Sequence, residues 1–240
     1  MVSEGSAVTN LPKKSDLGIR TLTALVMVTV AGGALWSGGL VWQGFVTLIA
    51  LGLLLEWFRL AVAFNPHIAP RLMWFAAGVI YIGFAMMALA IVRHLLGPLA
   101  VLFVGLEVIA VDIGAYFAGR SIGGPKIAPS ISPSKTWAGL AGGIAAACLV
   151  AIFFRPALGY TDGLHDLDRL VFSLIGGTIV AVVAQSGDFF ESWMKRRAGV
   201  KDSGRLLPGH GGLFDRLDGL LAVLFALGLL RIAFGPKGIL

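Results

Sequence analysis

Charge is what this sequence has least of. Asp, Glu, Lys and Arg make up 13% of its 240 residues, against about 25% in a soluble domain. With 57% hydrophobic residues and a mean hydropathy of +0.87, a core of this size cannot hide all its apolar surface from water. Part of the solvent must be lipid. Cysteine is nearly absent as well. Cys148 stands alone, which excludes an intramolecular disulfide and a cysteine-based zinc site. Lying inside an apolar run, it reads as a small core residue. No G-x-x-x-x-G-K spacing occurs, which excludes a Walker A phosphate loop. No internal repeat is visible, which argues against the inverted-repeat design of many transporters.

What is present is a succession of apolar runs: 17–40, 41–63, 72–92, 99–118, 137–154, 170–185 and 217–234. Each is close to the ~17–25 residues that span a bilayer, and backbone groups that cannot pair with lipid make each a helix. The expected fold is all-α and polytopic, with about seven transmembrane helices. Up to nine are possible if runs such as 72–92, which contains Gly78 and Gly83, split into short re-entrant helices. Residues 1–16 are polar, carry Lys13 and Lys14, and read as a disordered tail. No A-x-A-like cleavage site follows the first run, so that run is kept as a helix. The 33 glycines, including the pairs at 142–143 and 176–177, suit close helix packing.

The basic residues give the orientation. With the N-terminus inside, 13 of the 19 Lys and Arg fall on inside segments, and a hairpin at 72–92 would break this agreement. The positive-inside rule then places loops 119–136 and 186–216 in the cytoplasm. The division expected is N-terminal helices over 17–97 and a second transmembrane region over 98–240 that carries both loops.

The two signs of charge meet between Ser186 and Asp218. Six Lys and Arg and five acids lie there. Asp215 and Asp218 sit one turn apart at the start of the seventh helix, and Asp188 lies near the end of the sixth. Three inward carboxylates from two helix ends would suit Mg²⁺; the alternative for Asp215 and Asp218 is capping of a helix N-terminus. Asp188, Ser192 and Lys195 share a helical face, and Glu191 with Lys195 makes an ordinary i,i+4 pair. Gly199, Gly204, Gly209, Gly211 and Gly212, with Pro208, make an irregular loop whose N–H groups can approach an anion. His210 is either a donor to phosphate or a loop-fixing residue. In the other loop, Asp112, Tyr116 and Arg120 recur at i, i+4, i+8. Asp112 pairs with Arg120 or lines a polar cavity. Ser132-Pro-Ser-Lys135-Thr136 opens the fifth helix, where hydroxyls and a lysine form a phosphate site; the alternative is an N-cap by Ser134.

These residues resemble the signature of the phosphatidate cytidylyltransferase (CDP-diacylglycerol synthase) family. The pattern runs over 27 residues, from Ser192-x-Met-Lys195-Arg196 through Lys201-Asp202-x-Gly204 and Pro208-x-His210-Gly211-Gly212 to Asp215-Arg216-Leu-Asp218. Asp112 to Arg120 and Ser132 to Thr136 resemble a second region of that family. The resemblance covers about residues 100–220. The chain is short for the family, and Gly219 stands where a serine is common. The resemblance implies that CTP and phosphatidate give CDP-diacylglycerol and pyrophosphate, with Mg²⁺ and a second, monovalent cation such as K⁺, in a homodimer. Asp188, Asp215 and Asp218 would surround the metal. Lys195, Arg196, Lys201, Arg216, Lys135 and Arg120 would hold phosphates. Catalytic candidates are therefore Asp188, Lys195, Lys201, Asp215 and Asp218. Substrate-binding candidates are Asp112, Tyr116, Arg120, Lys126, Ser132, Lys135, Thr136, Ser192, Arg196, Asp202, His210 and Arg216. No nucleic-acid partner is expected. The alternatives are a cytidylyltransferase or kinase for another lipid, such as an isoprenoid phosphate or alcohol, and, outside enzymes, an ion-coupled transporter.

Overall fold

The computed structural model describes residues 15–159 and 163–235. Among them, seven helices follow in order: α1 (Ser15–Ser37), α2 (Gly39–Phe64), α3 (Ile68–Leu96), α4 (Pro98–Ser121), α5 (Trp137–Ala157), α6 (Asp166–Ala198) and α7 (Phe214–Phe234). Two short strands, β1 (Lys126–Ala128) and β2 (Ser132–Thr136), stand between α4 and α5. All seven helices are long and apolar enough to cross a membrane, and no spanning window has more than 39% of its residues buried inside the protein. Outward side chains such as Val28, Leu40 and Phe153 need lipid to cover them. The chain is a polytopic, all-α integral membrane protein.

The run 72–92 belongs to one helix. Gly78 does not break it; its missing Cβ leaves room for the Trp57 ring of α2. The next break is local chemistry. Gly97 takes φ 88°, and Pro98 starts α4, where its lost N–H would have no helical partner anyway. Of the expected disordered tail, residues 1–14 lie outside the described residues, and α1 begins at Ser15.

Both loops differ from expectation in their boundaries. Ser132 to Thr136 does not open α5; it is β2, antiparallel to β1. Pro133 disfavours the α conformation at the residue before it, so the helix waits. Its cap is Thr136, not Ser134: the Thr136 hydroxyl accepts the Gly139 N–H at 3.0 Å. In the second loop, residues 186–198 are still helix. At 33 residues, α6 is about 50 Å long, well beyond the ~30 Å of a bilayer's hydrocarbon. It ends at Gly199, in the left-handed conformation at φ 67°.

One core joins the two halves of the chain. Trp57 donates from Nε1 to the Trp74 carbonyl at 2.7 Å, and its ring meets Tyr81, Phe190 and Phe214. The buried residues around it run from Ala34 to Leu224, so the N-terminal helices pack directly on α6 and α7. On the other side α4 and α5 meet along Gly114, Gly139, Gly142 and Gly143, where backbone faces backbone. Alternation of the helices puts the ends of α2, α4 and α6 together. Arg93, at the opposite end, bonds the Leu35 carbonyl at 2.7 Å.

Candidate active site

The contact between α6 and α7 builds the acidic half of the site. A Cβ at Gly187 would lie 2.5 Å from the Asp218 carbonyl and 2.6 Å from the Ala222 Cβ. This glycine lets the backbones touch, and the adjacent Asp188 therefore meets Asp218. Gly219, the position of the departure from the family pattern, packs on the Ala184 carbonyl, 3.3 Å from where its Cβ would be. Asp188, Glu191 and Asp218 offer carboxylate oxygens that all lie within 4.8 Å of one another. An oxygen-rich set of this kind fits a hard cation such as Mg²⁺.

Asp215, expected in that set, is replaced in it by Glu191. Its own oxygens are already taken. Lys195 Nζ reaches it at 2.8 Å, the Ser203 N–H at 2.9 and 3.1 Å, and the Gly212 N–H at 2.9 Å. Three residues from Asp218, it bridges the loop and Lys195 of α6, while Asp218 meets Asp188 and Glu191. Lys195 sits between the two groups, 2.5 Å from Glu191 on its other side.

The basic half is a cavity of about 410 Å³, within the roughly 300–1,000 Å³ usual for small-molecule sites. Asp112, Tyr116 and Arg120 line it from α4, Lys126, Lys135 and Thr136 from the hairpin, and Asp188 from α6. The α4–α5 glycine seam holds these walls together. Asp112 thus lines a polar cavity instead of pairing with Arg120, whose guanidinium bonds the Tyr116 hydroxyl at 3.4 Å. Lys126 is tied to the Ser134 carbonyl at 3.3 Å. Lys135 forms an ion pair with Asp188 and bonds Gln185 at 3.4 Å. Asp188 therefore belongs to both halves, and the cavity and the carboxylates form one continuous site.

The remaining candidates divide between structural contacts and open positions. Ser192 donates to Asp188 at 3.5 Å. Arg196 bonds the Ile131 carbonyl at 3.4 Å and so braces the hairpin turn. Arg216 donates twice to the His210 carbonyl, at 2.8 and 3.1 Å. The His210 backbone thus fixes the loop, while its Nδ1 is buried with no hydrogen-bond partner. Thr136 is buried as the α5 cap, and Ser132 is buried at the start of β2. Lys201 and Asp202 are exposed and make no ion pair within 4.0 Å among the described residues. Two residues that the sequence did not single out for the site complete it. Glu191 showed only its pairing with Lys195, and Gln185 gave no signal in an apolar run. A third, Glu56 of α2, bonds the loop from 147 positions away.

A carboxylate cluster of the kind that can hold a cation, beside a lysine- and arginine-lined pocket at the same end of a helical bundle, suits a membrane-bound transferase acting on phosphorylated substrates. Comparison with known proteins narrows this class. The model of the cytidylyltransferase family matches residues 65–233, and the chain belongs to that family. It is similar to proteins named phosphatidate cytidylyltransferase. The one from Brucella abortus biovar 1 is 33% identical, with 94% of this chain and 97% of that protein covered. The one from Rickettsia bellii is 34% identical over 87% and 88%. That from Haemophilus influenzae is 41% identical, over 52% of this chain and 43% of the relative. Family membership displaces the ion-coupled transporter as a reading.

Proposed function

We propose that the protein transfers the cytidylyl group of CTP to phosphatidate, giving CDP-diacylglycerol and pyrophosphate, for phospholipid synthesis. The observation that carries this is the shared Asp188, which joins the basic cavity to the carboxylate cluster through Lys135. A phosphatidate oxygen, already anionic, attacks the α-phosphorus of CTP. The new P–O bond forms in line with the bond to the β-phosphate oxygen, which breaks and leaves with its electron pair as pyrophosphate. No strong general base is required. The chain's work is positioning and charge neutralisation. Arg120, Lys126 and Lys135 gather phosphate oxygens in the cavity, and Lys195 keeps Glu191 and Asp215 in place. Bound at Asp188, Glu191 and Asp218, Mg²⁺ would neutralise phosphate charge and favour departure of pyrophosphate.

The lipid half has its own support. A second cavity, of about 490 Å³, lies between α2, α3, α6 and α7 and is lined by Trp57, Tyr81, Phe190 and Phe225 among others. Ser186 and Gly187 line it too, so it ends one residue from Asp188. Acyl chains would lie there with the phosphate toward the cluster. A second, monovalent cation such as K⁺, a homodimer, and a cytoplasmic site in the bacterial inner membrane complete the proposal. The orientation is supported by the charge bias of the loops.

A cytidylyltransferase for an isoprenoid phosphate would use the same metal and phosphate groups and differ in the groove. Purified protein given α-labelled CTP separates the two. Label passing to phosphatidate and not to isoprenoid phosphates supports the proposal; the reverse preference overturns it.

A further inference from the structure

Glu56 is completely buried, eight residues before the end of α2, and its partners are all far away in sequence. It accepts the Ser203 hydroxyl at 3.0 Å, the Leu213 N–H at 3.1 Å and the Phe214 N–H at 2.8 Å. A buried carboxylate is costly unless its oxygens are bonded, and here both are. The loop is shaped around it. Side chains at Gly204 or Gly212 would overlap the Glu56 carboxylate, and one at Gly212 would also overlap the Ser203 hydroxyl. Two glycines of the loop are therefore explained by a residue on another helix.

The contact continues into the site. Ser203 Oγ donates to Glu56 and accepts the Asp215 N–H at 3.3 Å. The Ser203 N–H holds both Asp215 oxygens, Asp215 holds Lys195, and Lys195 holds Glu191. Leu213 and Phe214 are where α7 begins, so the same carboxylate fixes the start of the helix that carries Asp218.

We infer that Glu56 is a positioning residue for cytidylyl transfer, acting through Ser203 and the start of α7 on Asp215, Lys195 and the carboxylate cluster. It does not touch the reacting atoms. The family match begins at residue 65, nine positions after it, so α2 supplies a part of the catalytic unit that lies outside the matched region. The inference rests on placing the reaction at Asp188, Glu191 and Asp218.

The test is Glu56→Gln, which keeps the volume but turns an amide N–H₂ toward groups that donate. Three readouts are taken on the full-length protein in detergent: thermal stability, hydrogen exchange of peptides covering 200–215, and steady-state kinetics. Exchange of those peptides should rise through local opening, with other helices unchanged. The kcat should fall about 10- to 100-fold, the usual scale for misplaced catalytic groups, while KM for CTP changes less than about threefold. Wild-type kcat would overturn the inference, even with faster exchange, because Glu56 would then only hold the loop. Should Glu56→Gln not fold, Glu56→Asp decides, since it keeps the charge but shortens the reach to Ser203, Leu213 and Phe214 together. A lowered kcat supports the inference and a wild-type kcat overturns it. Asp218→Asn is measured alongside. If it is fully active, the placement of the reaction fails; if it is inactive while Glu56→Gln has wild-type kcat, only the role of Glu56 fails.

Discussion

Lys135 and Asp188, 53 positions apart in the chain, meet in an ion pair where the basic cavity adjoins the carboxylate cluster. The Lys135 ammonium also lies 4.9 Å from the centre of the Phe189 ring, so its position is fixed from two sides. Lys135→Met should keep the fold and lower kcat/KM for CTP by about 10²-fold or more, the scale for losing one preorganised charge contact. The check is a kinetic comparison on protein matched for thermal stability.

The exchange of Asp215 for Glu191 in the cluster separates two groups of variants. Asp188→Asn and Glu191→Gln should raise the Mg²⁺ concentration for half-maximal rate by about tenfold or more. Asp215→Asn should lower kcat with little change in that concentration, because its oxygens serve Lys195, Ser203 and Gly212. Titration of activity with Mg²⁺ for each variant reads this out.

Gly187 sets the approach of α6 to α7, and overpacking there forces the helices apart. Gly187→Val should cost about 1–3 kcal/mol, seen as lower thermal stability, and should reduce activity by separating Asp188 from Asp218. Gly83, with nothing within 4 Å of its Cβ position, is the contrast. Gly83→Ala should be neutral or stabilising by up to about 1 kcal/mol.

Orientation is testable without activity. Lys201 is exposed in the loop, and Cys148 is the only native thiol. Lys201→Cys in a Cys148→Ser background should react with an impermeant maleimide in inside-out vesicles and be protected in intact cells.

Much of this was legible in the sequence because it depended on local rules. Helix number followed from the length of the apolar runs, and Asp188, Ser192 and Lys195 shared a face because 3.6 residues make a turn. What depended on tertiary contact was hidden. Asp215 and Asp218 sit one turn apart at the same helix start, but loop N–H groups and Lys195 claim one and the Gly187 contact brings the other to Asp188. Glu191 was visible only as a partner of Lys195, since its approach to Asp218 needs α7 in place. Glu56 gave no signal in the second apolar run, because its partners lie about 150 positions later. The hairpin escaped because Ser132-Pro-Ser-Lys-Thr has no apolar alternation to mark a strand.

Placement of the reaction at the carboxylate cluster is tested most directly by transfer of label from α-labelled CTP to phosphatidate by Asp218→Asn protein whose folding matches the parent. With the carboxylate cluster at the reacting phosphates, the rate should fall by about 10²-fold or more, and added Mg²⁺ should not restore it fully. Transfer at the parent rate, with unchanged Mg²⁺ dependence, would contradict the placement of the reaction at this site.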